Sequence, residues 1–163
     1  AQAITTPAFP ARDINGSTNG DGYWVGILVT TATTNAGAIT NTTLSYTNQA
    51  GTAGKTATIA SFPATAVVGT VVWFQLAAGD TGVRSIQSIT LGTSYVAGAI
   101  SLFVARPLSV AGVAAANLPS YGSLMTVNPS GVALYSGTCM LPFYISSATT
   151  ATTTSGMAIV ENR

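Results

Sequence analysis

Apolar and polar residues alternate along this chain with a period of two, in short bursts separated by Gly, Pro and Asn, which is the pattern of β-strands and turns. Residues 23–31 place Val25, Ile27 and Val29 on one face and Trp24, Leu28 and Thr30 on the other; with both faces largely apolar, the burst predicts a central strand. Residues 42–48 alternate more cleanly, Leu44 and Tyr46 opposite Thr43, Ser45 and Thr47, as a half-buried antiparallel strand should. A turn at 49–54 leads into residues 55–61, and the two runs predict one hairpin. Residues 67–77 hold Val71, Val72, Trp73, Phe74 and Leu76, too many large groups for one wetted face, so the segment is expected between layers or beneath a partner. In residues 83–91, Ile89 and Leu91 share a phase that Ile86 does not, which predicts a bulge near Gln87. At 99–106, Ile100, Leu102 and Val104 oppose Ser101 and Phe103, and Pro107 ends the run.

The flanks read differently. Residues 1–22 are expected as an extended arm and loop, because Pro7 and Pro10 block regular structure and Asn15-Gly16 and Asn19-Gly20 are turn dipeptides. Residues 109–118, with three consecutive alanines, are the one weak helix candidate. Further β-like runs fall at 124–127, 132–135, 139–145 and 157–161. Short strands at spacings of about 8–12 residues, without long helical periods, predict an all-β fold, an antiparallel β-sandwich or jelly roll. Residues 23–163 are expected as its single domain, behind the arm.

Composition changes the picture of the surface. Among 163 residues, only 6% are charged while 47% are hydrophobic, and histidine is absent; ordinary soluble domains carry about 25% charge. Disordered chains combine low hydrophobicity with high net charge, and this chain has neither. Its surface must consist of Thr, Ser, Ala, Gly and Asn, with little repulsion between copies. Strand edges are also left without the charges that normally blunt them. Both features predict an assembly in which neighbours cover strand edges and faces.

The same numbers exclude functions. A net charge of +1, with Arg12, Lys55, Arg84, Arg106 and Arg163 scattered singly, gives no basic stripe for nucleic acid. No apolar run approaches the roughly 18 residues that span a bilayer. Without histidine there is no Ser-His-Asp or Cys-His arrangement. The carboxylates are Asp13, Asp21, Asp80 and Glu161 alone, too few general acids and bases to favour an enzyme, a cofactor or a small-molecule substrate. Cys139 is a lone cysteine beside Met140 and Leu141, expected as a buried, inert thiol. The opening Ala1-Gln2-Ala3 fits removal of an initiator Met or cleavage of a signal peptide.

Three groups of residues carry candidate chemistry. Asp13, Asn15, Ser17, Asn19 and Asp21 put oxygen at every second position, like the opening of a calcium loop. Thr18 and Trp24, however, stand where such a loop has its glycine and its bidentate Glu, and a solvated turn-rich loop explains the residues as well. Asp80, Arg84 and Arg106 are expected to form a charge-assisted clamp at a hairpin end. Trp24, Trp73 and Tyr95 are candidate anchors of a subunit interface, with a sugar platform as the other use of such aromatics. Asn15-Gly16-Ser17 and Asn41-Thr42-Thr43 match the glycosylation pattern.

Residues 44–54, Phe62-Pro63-Ala64 and residues 76–91 (LAAGDTGVRSIQSITL) together resemble small virion proteins of tailed bacteriophages, over about residues 40–108. The resemblance implies a structural role in the particle, as a capsid decoration or cement protein or in the tail, with partners that are copies of itself and other virion proteins. A reducing cytoplasm, where such particles assemble, suits a chain that forms no disulfide. An arm at 1–22 would suit contact with a neighbouring subunit. A secreted adhesion or carbohydrate-binding module shares the composition and is the other reading. It predicts a monomer with exposed Trp or Tyr, whereas the virion reading predicts symmetric oligomers in which Trp24 and Trp73 are buried.

Overall fold

A computed structural model describes residues 1–108, 135 and 138–140, and among these every regular element is a β-strand. In chain order they are β1 (Gln2–Ala3), β2 (Trp24–Thr31), β3 (Thr42–Asn48), β4 (Lys55–Ile59), β5 (Val71–Trp73), β6 (Val83–Thr90) and β7 (Ala99–Ala105). They form a four-stranded sheet in the order β1-β6-β3-β4 and a three-stranded sheet in the order β5-β2-β7. Every pairing is antiparallel.

The alternation seen in the sequence sets the facing. Val25, Ile27 and Val29 of β2 are fully buried, as are Leu44 and Tyr46 of β3 and Ala57 of β4. They join Val83, Ile86 and Ile89 of β6 and the loop residues Ile39, Phe62 and Phe74 in one core shared by both sheets, which makes the architecture sandwich-like. Large side chains buried in this way contribute about 1.5–3 kcal/mol each. The central placing of residues 23–31 and the hairpin of β3 with β4 hold. The bulge holds as well: Ser45 faces Ser88 and Tyr46 faces Ile86, so Gln87 is the extra residue. It returns Ile86 and Ile89 to the same buried face despite their odd spacing.

The first residues of the chain lie against β6 of their own sheet. Gln2 and Ala3 pair with Ile89 and Ser88, Ile4 N donates to Gln87 O at 2.8 Å, and Thr6 continues the ladder with its side chain. Its hydroxyl donates to Ile86 O at 2.7 Å and accepts from Ile86 N at 2.8 Å. One edge of β6 is thereby covered. The outer edge of β4 meets Gln75, whose backbone exchanges two hydrogen bonds with Thr58 at 2.7 and 3.0 Å.

Within residues 67–77, Val71–Trp73 is strand, and Val72, Phe74 and Leu76 pack in or against the core as expected, while a turn closed by Thr70 N on Val67 O, with Gly69 at φ 88°, lifts Val67 and Val68 into solvent. One expectation needs correction. Cys139, expected to be buried, is exposed, because it sits in irregular chain beside an exposed Met140 and not in a strand facing the core. The helix expected at 109–118 and the β runs at 124–127, 132–135, 139–145 and 157–161 fall outside the described residues apart from Tyr135, Cys139 and Met140.

Candidate functional site

Asp80 is at the centre of the most connected polar group. The turn after Ala77, closed by Asp80 N on Ala77 O at 3.0 Å, points its carboxylate at the ends of β3 and β4. Tyr46 Oη donates to Asp80 Oδ2 at 2.5 Å and accepts from Ala77 N at 3.0 Å. Asn48 Nδ2 donates to Asp80 Oδ1 at 2.8 Å, while Asn48 Oδ1 accepts from Thr52 N at 2.9 Å. Lys55 Nζ lies 3.5 Å from that same Oδ1; its side chain is 31% exposed and that of Asp80 only 5%.

Burial pushes the Asp80 carboxyl up, and the bonds from Tyr46 and Asn48 with the Lys55 charge outweigh it and hold it below the usual carboxylate range. Burial, helped by the adjacent carboxylate, pushes the Tyr46 phenol up to about 12. The clamp therefore exists with different members. Arg84 lies on the exposed face of β6, and its guanidinium reaches over the turn at Gly51. Arg106 goes elsewhere, donating to Asp13 O at 3.3 Å. Lys55, Asn48 and Tyr46 were not singled out by sequence motif. Their signal was phase: Lys55 precedes Ala57 and Ile59 on the core-facing side of β4, and Asn48 follows Leu44 and Tyr46 on that of β3.

The structure does bring together the second group, at residues 13–21. Asp13 is fully buried. Its Oδ1 accepts from Asn15 N at 2.9 Å and Ser17 N at 2.6 Å; its Oδ2 accepts from Ser17 Oγ at 2.6 Å and Asp21 N at 3.2 Å. Asn19 N donates to Ser17 Oγ. Asp21 accepts from Asn15 Nδ2 at 2.8 Å and Thr81 Oγ1 at 2.5 Å. The alternating oxygens thus wrap the loop around Asp13, with two N–H donors on Oδ1 and one O–H and one N–H donor on Oδ2. Burial raises this carboxyl too, and the bonds from Ser17, Asn15 and Asp21 bring it below the usual range. Among the described residues, no three His, Cys, Asp or Glu side chains are grouped to hold a metal ion. The loop is pinned to β6 where Gly20 O accepts from Val83 N; Gly82 is required there, since a Cβ would lie 2.0 Å from Gly20 O.

The third feature is the outer face of the three-stranded sheet. Trp24 packs edge-on against Trp73 with centroids 5.9 Å apart, and Trp73 against Phe103 at 5.0 Å. Gly26 makes this possible, because a Cβ there would fall 2.7 Å from the Phe103 ring. Trp24 remains 48% exposed and Trp73 is half-buried. A cavity of about 350 Å³ opens beside them, with Gln75, Leu76, Asp80 and Thr81 on its other walls. Tyr95, the third interface candidate, is not on this face; it packs against the core from the chain between β6 and β7.

No protein-family model matches the chain, and no curated protein or solved structure shows significant similarity to it.

Proposed function

We propose that the protein is a non-enzymatic structural component of a virus particle, assembled in the host cytoplasm. In this reading it is a jelly-roll-like capsid decoration or cement protein that binds the shell as a symmetric oligomer, and its partners are its own copies and other capsid or tail proteins. One observation carries the reading: the aromatic outer face of the β5-β2-β7 sheet, where Trp24 stands 48% exposed in a chain with 6% charge. Exposed aromatics with few charges around them are the composition of interface centres. A neighbouring subunit seated there would bury both tryptophans.

Light scattering tests this directly. The wild-type chain is expected as a discrete symmetric oligomer, and Trp24→Ser, which removes the protruding ring and leaves the inward face of β2 intact, is expected to lower both oligomer mass and occupancy on particles. A monomeric wild type absent from purified particles would overturn the reading.

The cavity favours a second reading, a secreted glycan-binding module. Aromatic walls with Gln75, Asp80 and Thr81 beside them are the surroundings in which a neutral sugar ring stacks and hydrogen-bonds. That reading expects a monomer whose tryptophan fluorescence changes on adding oligosaccharide, a response lost in Trp24→Ser.

A further inference from the structure

We propose that Lys55 and Asn48 are the partners of an intramolecular isopeptide bond that the chain forms on itself, with Asp80 carrying the protons. This inference is independent of whether the protein coats a particle or binds a glycan.

The observations begin with strand phase. Lys55 faces Tyr46 across the β3–β4 ladder, which makes Asn48 its diagonal neighbour on the same, core-facing side, a spacing that long side chains bridge. A single oxygen, Asp80 Oδ1, then touches both groups, 2.8 Å from Asn48 Nδ2 and 3.5 Å from Lys55 Nζ. The third requirement is a donor on the carbonyl under attack, and Thr52 N supplies it at 2.9 Å from Asn48 Oδ1. Backbone donors held where an oxyanion develops are a large source of rate in acyl transfer. Asn48 is buried and the Asp80 side chain is only 5% exposed, so both groups lie largely out of bulk solvent. Nucleophile, proton carrier, leaving group and oxyanion donor therefore lie in one cluster.

The step balances within these residues. The Lys55 ammonium gives a proton to Asp80 Oδ1. The freed amine lone pair forms the Nζ–Cγ bond, and the carbonyl π pair moves onto Oδ1 of Asn48, facing Thr52 N–H. Asp80 returns its proton to Nδ2 and accepts the second proton leaving Nζ. The oxyanion pair re-forms the carbonyl, the Cγ–Nδ2 bond breaks with its pair on nitrogen, and ammonia departs, taking the last proton from Asp80 as ammonium. A Lys–Asp ion pair and a primary amide become a neutral secondary amide beside an ionised Asp80. The reaction occurs once per chain and closes the β3–β4 hairpin covalently.

Mass spectrometry and trypsin on the full-length chain test this together. Lys55 is the single lysine of the sequence, so its state is read without ambiguity. The expected result is an intact, denatured chain lighter than its sequence by one ammonia, in which trypsin no longer cuts after Lys55 and fragmentation joins residue 48 to residue 55. Lys55→Arg, which keeps the ion pair with Asp80, should show the full sequence mass. Asp80→Asn should show full mass and restored cutting; a link persisting in that variant overturns the role of Asp80. In the wild type, full mass with normal cutting overturns the bond. So does loss of water with a link to residue 80, or loss of ammonia with Lys55 still cut, which marks a succinimide at Asn48.

Discussion

Two buried aspartates do different work in this molecule. Asp13 collects its donors from Asn15, Ser17 and Asp21, none more than eight residues away. Asp80 collects its own from Tyr46 and Asn48, 34 and 32 residues away, and adds the Lys55 charge. The first is a local knot: most of its bonds exist whenever residues 13–21 adopt their loop. The second exists only when β3, β4 and the chain before β6 have come together, and so reports on the whole fold. Both carboxyls are held below their usual range, so the same electrostatic outcome comes from backbone amides in one case and from distant side chains in the other.

The largest separation of the two should appear on truncation. Asp80→Ala strands the Tyr46 hydroxyl and the Asn48 amide in the core without their acceptor, at about 1–3 kcal/mol for each buried group left unpaired. It is expected to lower global stability by roughly 4 kcal/mol in urea unfolding. Asp13→Ala frees donors that the opened loop can return to water, so about 2 kcal/mol is expected. In hydrogen exchange its effect should be confined to residues 13–22 and the Val83 amide that bonds Gly20 O, while Asp80→Ala raises exchange across β3, β4 and β6. Equal, global effects from both variants would erase the distinction.

Acid and alkali sharpen it. A carboxyl whose folded pKa is depressed adds stability that is complete above its unfolded pKa and is lost as pH falls through the folded one. Both aspartates place that loss on the acid side, below the ordinary carboxyl value of 3.8. The Asp80 group has an alkaline limb in Tyr46, and a second comes from Tyr23, whose phenol is also raised by burial and by the nearby Asp13 charge. The Tyr46 phenol is raised from 10.0 to about 12, so its contribution is complete below pH 10 and disappears as pH rises toward 12. A stability profile should therefore fall at both ends. Tyr46→Phe is expected to shrink the alkaline fall to the part that Tyr23 supplies, and Asp13→Asn to leave the Tyr46 part in place while reducing the acid fall. An alkaline fall of equal size in Tyr46→Phe would remove Tyr46 from the account.

What could be read from the sequence follows the same division between near and far. Strand phase is local, so the faces of β2, β3 and β7 and the bulge at Gln87 were legible. So was the gathering of residues 13–21, although the alternation that looked like cation ligation serves to wrap the chain on Asp13. The partners of Asp80 were not legible: Arg84 is four residues away and Lys55 twenty-five, and proximity in sequence favoured the wrong cation. Strand orientation decides it, because Arg84 occupies an exposed position of β6 while Lys55 lies in the core-facing phase of β4. Tyr95 shows the same limit, since aromatic identity alone does not say that the chain between β6 and β7 sets it against the core, away from Trp24 and Trp73.

The smallest effect tests what makes a buried polar group count. Thr42 is as buried as Asp13, but its hydroxyl has no hydrogen-bond partner. If stabilisation comes from the partners and not from polarity in the core, Thr42→Val should lose nothing: the shape is kept, and the cost of drying an unpaired hydroxyl is removed. A gain of up to about 1 kcal/mol is expected in urea unfolding, opposite in sign to both aspartate variants. The same swap at Thr33, whose Oγ1 accepts from Ala66 N at 2.9 Å, should instead cost about 1 kcal/mol. A loss at Thr42 as large as at Thr33 would mean that burial alone, and not pairing, sets the worth of these groups.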